Sequence, residues 1–156
     1  MRRRFFLAFL MMGAAPAAAQ KESLGTYWSW GAFEENGRCW AISQPRGTAR
    51  AREPFASVGF WPRSGERGQL HFRLSREKRA GSAVLLRIDE RSFQLIGRGA
   101  DAWPPDAHAD ADILAAMRRG VEMVVETRST SGARVRDRYR LRGAASAIDA
   151  AAIACA

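Results

Sequence analysis

The sequence predicts a mainly β protein: an antiparallel β-sandwich or barrel-like domain of about eight strands with two short α-helices, one at the C-terminus. Three observations lead there. Short apolar or alternating runs recur along the chain, separated by turn residues such as Asn36-Gly37 and Ser64-Gly65. Two segments alone, residues 110–119 and 144–154, carry helical spacing. The chain has 156 residues, 47% of them hydrophobic, which suits one core of ordinary size and excludes a disordered chain.

Residues 1–20 stand apart from this pattern. Arg2, Arg3 and Arg4 precede an apolar run from Phe5 to Met12, and Ala17-Ala18-Ala19 supplies an A-x-A cleavage site before Gln20. The apolar run is far shorter than the roughly 20 residues of a membrane span. No cysteine follows it to carry a lipid anchor. The expected organisation is a secretory signal peptide over residues 1–19 and a single domain over 20–156. That domain has no transmembrane segment and is periplasmic or secreted after cleavage near Ala19.

The elements follow in order. Residues 26–33 are aromatic-rich and predict a strand, and Glu34-Glu35-Asn36-Gly37 turns the chain into a second strand at 38–42. Pro45, Gly47 and Pro54 make residues 44–54 a loop. Residues 55–61 form a third strand, stopped by Pro62 and the Arg63-Ser64-Gly65-Glu66 turn. In residues 69–75, Leu70, Phe72 and Leu74 alternate with His71, Arg73 and Ser75, a half-buried strand. Strands at 82–88 and 92–98 flank the turn Asp89-Glu90-Arg91, and residues 99–108, with Trp103-Pro104-Pro105, read as irregular. The helix at 110–119 starts with acids, ends with Arg118-Arg119 in keeping with its dipole, and stops at Gly120. Its apolar stripe is Ile113, Leu114 and Met117. Strands at 121–128 and 134–142 precede the alanine-rich C-terminal helix.

The last strand carries the most distinctive pattern. Arg134, Arg136, Arg138, Arg140 and Arg142 recur at every second position and share one face, about 6.6 Å apart, opposite Val135, Asp137, Tyr139 and Leu141. A two-residue loop at Ser131-Gly132 sets Glu126 against Asp137 and Met123 against Arg140. A three-residue loop, Ser131-Gly132-Ala133, sets Glu126 against Arg138, Glu122 against Arg142 and Val125 against Tyr139. It keeps charges together and apolar residues together, so it is the predicted register. The ladder reads either as a docking stripe for phosphate- or carboxylate-bearing polymers or as a solvated face partly neutralised by glutamates.

The charge is formally +9, with 25 basic and 16 acidic residues. Three of the basic residues and none of the acidic ones lie in the signal segment, so the exported domain carries +6. A sequence pI near 11.1 suggests nucleic acid. However, there is no helix-turn-helix pattern, zinc-finger spacing or aromatic RNA-binding motif, and the export signal argues against it. Neither histidine, His71 or His108, has a sequence neighbour that builds a metal site or sets a tautomer. No nucleophile elbow, P-loop or dinucleotide fingerprint occurs, so no catalytic residue, metal or cofactor is predicted. Asp137 faces the apolar side and needs a hydrogen-bonding partner. Trp28 and Trp30 share a strand face in this reading, while Trp40, Trp61 and Trp103 are scattered; the tryptophans read as core filling, with a binding platform as the alternative. Cys39 and Cys155 would meet an oxidising compartment after export. A bridge between them closes a loop of more than a hundred residues and contributes about 4–5 kcal/mol; the alternative is two buried free thiols.

Asn36-Gly37-Arg38-Cys39-Trp40-Ala41-Ile42-Ser43 resembles the first sequence block of the invasion-associated locus B family. Asp101-Ala102-Trp103 with Ala115-Ala116-Met117-Arg118-Arg119-Gly120 resembles its central block. Ser131-Gly132, the run Asp137-Arg138-Tyr139-Arg140-Leu141-Arg142-Gly143 and the alanine-rich end at Cys155 resemble its C-terminal block. The resemblance covers nearly all of residues 26–156. It implies a small exported bacterial envelope protein, in a family named for host-cell invasion, with no established enzyme activity, cofactor or catalytic residue. The positions of Cys39 and Cys155 fit it. The outward face of the last strand departs from the family, whose members tend to carry threonine or serine there.

The leading expectation is a non-enzymatic periplasmic or secreted protein acting through its surface on an envelope or host-surface component. The second is a binder of anionic polysaccharide or lipopolysaccharide through Arg134–Arg142. The third is a hydrolase using Asp137 or a histidine.

Overall fold

The computed structural model describes residues 21–47 and 53–156. The signal segment, its cleavage site and part of the 44–54 loop lie outside the described residues. Ten strands are present among them: β1 (Glu22–Tyr27), β2 (Trp30–Glu35), β3 (Arg38–Ser43), β4 (Phe55–Trp61), β5 (Glu66–Arg73), β6 (Val84–Ile88), β7 (Arg91–Arg98), β8 (Asp101–Trp103), β9 (Glu122–Arg128) and β10 (Arg134–Arg140). A 3-10 turn, Pro62–Ser64, follows β4; helix α1 (Ala107–Arg119) precedes β9 and α2 (Ala144–Ala154) follows β10. The strands form one antiparallel sheet in the order β1-β2-β3-β4-β5-β8-β7-β6-β9-β10.

The mainly β class holds, and ten strands replace eight because of differences at two places. The predicted strand at 26–33 is broken by a two-residue turn, Trp28-Ser29, with Trp28 at φ 60 and Tyr27 paired to Trp30. A tryptophan is a poor residue for a left-handed turn position. The turn is held by distant groups, since the Ser43 hydroxyl donates to the Ser29 carbonyl at 2.7 Å. The stretch read as irregular contains β8, a three-residue strand between β5 and β7, too short to show a period. By contrast, Asn36 (φ 55) and Gly37 (φ 71) adopt the left-handed pair a type I′ hairpin requires. Helix α1 begins earlier than expected because Asp106 caps it, accepting from the Ala109 N–H at 2.8 Å.

The two ends of the sheet approach one another. The outer carbonyls of β10 are taken by the Arg46 N–H, which donates to Arg138 at 2.8 Å, and the Trp30 indole N–H, which donates to Arg140 at 2.8 Å. The sheet is thereby barrel-like, and this edge is blunted against pairing with other chains. Inside lie Trp30, Leu70, Phe72, Leu86, Met123 and Tyr139, all fully buried. Helix α2 packs on β1, β2 and β3 through Ala144, Ala147, Ile148 and Ala151. Three of these four are alanines, and β2 and β3 bury Ala32 and Ala41, which also have little bulk. Cys155, just past α2, is bonded to Cys39 of β3 with Cα atoms 5.9 Å apart. Among the described residues no helix is long and apolar enough to cross a membrane.

Candidate functional site

On β10 the alternation is complete: Arg134, Arg136, Arg138 and Arg140 point outward, and Val135, Asp137 and Tyr139 are buried. The register differs from the predicted one. Arg134 pairs with Arg128, Arg136 with Glu126 and Arg140 with Glu122. The three-residue loop is Thr130-Ser131-Gly132, one position earlier than expected. It is closed by the Ser129 N–H donating to Ala133 and the Gly132 N–H donating to Ser129, each at 2.8 Å. Such loops need a left-handed third residue, and Gly132 at φ 83 supplies it. Moving the loop by one residue slides the pairing by two, so the faces survive and the partners change.

Glu126 therefore binds Arg136, with contacts of 2.6 Å, and Glu122 reaches diagonally to Arg138 at 3.2 Å. Exposed pairs of this kind contribute about 0.2–1 kcal/mol each. Arg134 and Arg140 have no carboxylate partner among the described residues. Arg134 instead stands opposite Arg128, a like-charge pair. Strand β6 adds Arg87, across the ladder from Val124, which also faces Arg138. Val124, between Arg87 and Arg138 on the ladder, is only 4% exposed. Leu85, Arg87, Glu126, Arg128, Arg134 and Arg136 border an open groove of about 530 Å³. Guanidinium forks in this arrangement suit carboxylate, sulfate or phosphate oxygens, which accept two N–H groups at once.

Arg142, expected as the fifth member of the ladder, is not on the strand: β10 ends at Arg140. Its guanidinium lies 3.2 Å from the centroid of the Trp28 ring, a cation–π contact. Nor do Trp28 and Trp30 share a face. Trp28 is 68% exposed at the hairpin tip and Trp30 is fully buried.

Asp137 is fully buried, as its place on the apolar face requires. Its Oδ2 accepts from the Ser75 N–H at 2.8 Å, and its Oδ1 is buried without a hydrogen-bond partner among the described residues. Burial raises its pKa above 3.8, opposed by the Ser75 hydrogen bonds. Asp110 is raised in the same direction, chiefly by burial, against the Leu70 N–H that donates to it at 2.7 Å. A carboxyl with a raised native pKa binds its proton more tightly folded than unfolded. Its stabilising effect is complete below the unfolded value and is lost as pH rises through the native one. Asp137→Asn is expected to flatten the decline in stability from about pH 4 to pH 7, measured by urea unfolding at each pH. An unchanged slope contradicts this.

His71 has a partner the sequence could not show. Its Nε2 lies 2.9 Å from Asp101 Oδ1, thirty positions away, and Arg73 reaches the same oxygen at 3.4 Å. His108 lies 3.8 Å from Asp112 on one turn of α1. No group of three or more His, Cys, Asp or Glu among the described residues is placed to hold a metal. Trp40 and Trp61, read as core filling, face outward from β3 and β4 and are partly exposed. The signal was present for Trp40, since Cys39 and Ala41 on either side are apolar and buried.

No protein-family model and no curated protein matches the chain. Among solved structures, it is similar to invasion associated protein B from Bartonella henselae, with a TM-score of 0.60 and 16% sequence identity. The alignment covers 83% of this chain and 94% of that one. At that identity the likeness is one of fold, and at the level of fold it bears out the resemblance carried by the three sequence blocks: the chain has the fold of the Bartonella protein.

Proposed function

We propose that this is an exported, non-enzymatic envelope protein that acts through its surface. It holds an anionic polymer, such as lipopolysaccharide or an acidic polysaccharide of the envelope or of a host cell, against Arg87, Arg134, Arg136, Arg138 and Arg140. The observation that carries this reading is the charge imbalance on the outer face of β6, β9 and β10. There Glu122 and Glu126 answer two arginines and leave Arg87, Arg134 and Arg140 without carboxylate partners among the described residues. Export is supported by the signal pattern in residues 1–19 and by the Cys39–Cys155 bridge, which persists in oxidising compartments. A role in host-cell invasion or envelope maintenance is supported by the fold shared with a protein named for its association with invasion. The non-enzymatic reading is supported by the enclosure of Asp137 and by the placement of His71 on an outer strand face beside Phe55 and Arg73. Turnover of any substrate in a broad hydrolase screen, lost in Asp137→Asn or His71→Ala, would overturn it.

The binding reading is tested by retention on immobilised lipopolysaccharide and on heparin. Arg87, Arg134 and Arg140 are changed together to threonine. An arginine near an anionic surface contributes about 1 kcal/mol, so the triple variant is expected to bind about a hundredfold more weakly at low salt. It should also elute at clearly lower ionic strength. Retention equal to that of the parent protein sinks the proposal.

A further inference from the structure

The outer surface of the sheet carries a second feature, on β2, β3 and β4. Phe33 and Trp40 are ladder partners with ring centroids 6.0 Å apart. On the other side of Trp40 its ladder partner is Gly59, and the Trp61 ring lies over that glycine, so that a Cβ there would stand 2.5 Å from the ring. Phe33, Trp40 and Trp61 thus form a continuous row facing away from the core, each partly exposed, while Ala32, Cys39, Ala41 and Phe60 between them are buried. Cations attend both ends of the row. Lys21 Nζ lies 4.0 Å from the Phe33 centroid, and the Arg38 guanidinium lies 6.0 Å from that of Trp61.

At the Trp61 end the row opens into a pocket of about 350 Å³ between the β2–β3 turn and the 3-10 turn after β4. Asn36, Arg38, Trp61, Arg63 and Ser64 line it. Neither Arg38 nor Arg63 has an ion-pair partner among the described residues. The acids on the adjoining ladder positions are Glu35, opposite Arg38, and Glu66, opposite Trp61. The Ser64 hydroxyl donates to the Trp61 carbonyl at 3.2 Å and keeps its lone pairs free to accept.

The lining restricts the ligand. A purely apolar group leaves two guanidinium ions unanswered, and a small inorganic anion leaves the indole face unused. A sugar bearing a carboxylate uses both. Its C–H face stacks on Trp61, its acid group takes a guanidinium fork, and its hydroxyls meet Asn36 and Ser64. We propose that this pocket binds one acidic sugar residue of a glycan whose neighbouring residues run over Trp40 and Phe33. The proposal stands on different residues from the arginine face and does not depend on it.

The test follows indole N–H resonances of the ¹⁵N-labelled protein. The chain has five tryptophans, and Trp61→Phe and Trp40→Phe identify the two signals. Galacturonic acid is expected to shift the Trp61 signal saturably, with galactose at least about tenfold weaker and acetate giving no saturable shift. Tetragalacturonate is expected to move Trp40 as well. Arg38→Gln and Arg63→Gln should each weaken binding about tenfold, while the Arg87, Arg134 and Arg140 triple variant keeps the Trp61 response. An unmoved Trp61 signal, equal affinity for galactose, or a response to acetate alone overturns the proposal. Loss of polymer retention with the Trp61 response intact, or the reverse, separates this pocket from the arginine face.

Discussion

Cleavage of the Cys39–Cys155 bond is expected to destabilise the domain by about 4–5 kcal/mol, the loss of unfolded-state constraint for a loop this long. The sequence separation is 116 residues, so the bridge restricts nearly the whole unfolded domain. In a domain of this size each kcal/mol moves Tm by roughly 3–4 °C, which places the reduced protein about 15 °C below the oxidised one. The folded state also loses a tether. Helix α2 has 11 residues, short of the roughly 12–15 at which an isolated helix becomes even marginal in water. Its buried side chains are three alanines and one isoleucine, so its hold on the sheet through burial is modest. The bridge fixes its C-terminal end to β3. Reduction is therefore expected to expose α2 to protease before the strands. Calorimetry with and without reductant, with Cys39→Ser plus Cys155→Ser as a second route, checks the magnitude, and limited proteolysis checks the order. Equal Tm and equal non-reducing mobility in both states would show that the bond contributes nothing.

Much of the fold was legible because it rests on local chemistry. Asn36-Gly37 specifies its own hairpin, Gly65 at φ 76 ends the turn begun by Pro62, and the alanine-rich helix occupies the residues predicted for it. The inward face of Asp137 was legible for the same reason, and the cysteine pair by count, since the chain has two cysteines. The parts that were not legible depend on residues far apart in the chain. The Trp28-Ser29 turn puts a tryptophan in the left-handed region, which no local signal favours, and is held by Ser43 and by the Arg142 guanidinium. The β9–β10 register hinged on which loop position needed a positive φ, since both loops contained Gly132. The outward row of Trp40 and Trp61 depends on Gly59 of β4, which sits opposite Trp40 and lies under the Trp61 ring, and no periodicity within one strand reveals it. The candidate site was half readable: the arginine row was visible in the sequence, whereas Arg87, which turns a row into a groove, comes from β6.

Gly143→Ala is the other substitution expected to have a large effect, at about 2–5 kcal/mol, the sum of a backbone and a packing cost. Gly143 sits between Arg142 and α2 at φ 91, and its carbonyl accepts the Ala147 N–H at 3.0 Å to begin the helix. The left-handed backbone costs an L-residue about 1–2 kcal/mol. Space is the larger difficulty. A Cβ there would stand 2.0 Å from the Tyr27 carbonyl oxygen and 2.7 Å from its carbon. Those are backbone atoms, so no side-chain rotation relieves the overlap. Either the β1–β2 tip or the start of α2 must move, at the roughly 1–3 kcal/mol typical of overpacking. Gly132→Ala separates the two contributions, because Gly132 has a similar φ of 83 and its Cβ would meet nothing within 4 Å. It is expected to cost the backbone part alone. The excess destabilisation of Gly143→Ala over Gly132→Ala, read from urea midpoints, measures how tightly the N-terminal hairpin is pressed onto the end of β10. Because Trp28 and Arg142 flank that contact, Gly143→Ala should also shift Trp28 fluorescence, assigned by Trp28→Phe, while Gly132→Ala leaves it unchanged. Equal costs for the two glycines would mean that the hairpin tip yields freely and that the Arg142–Trp28 stack, not the glycine contact, holds it in place.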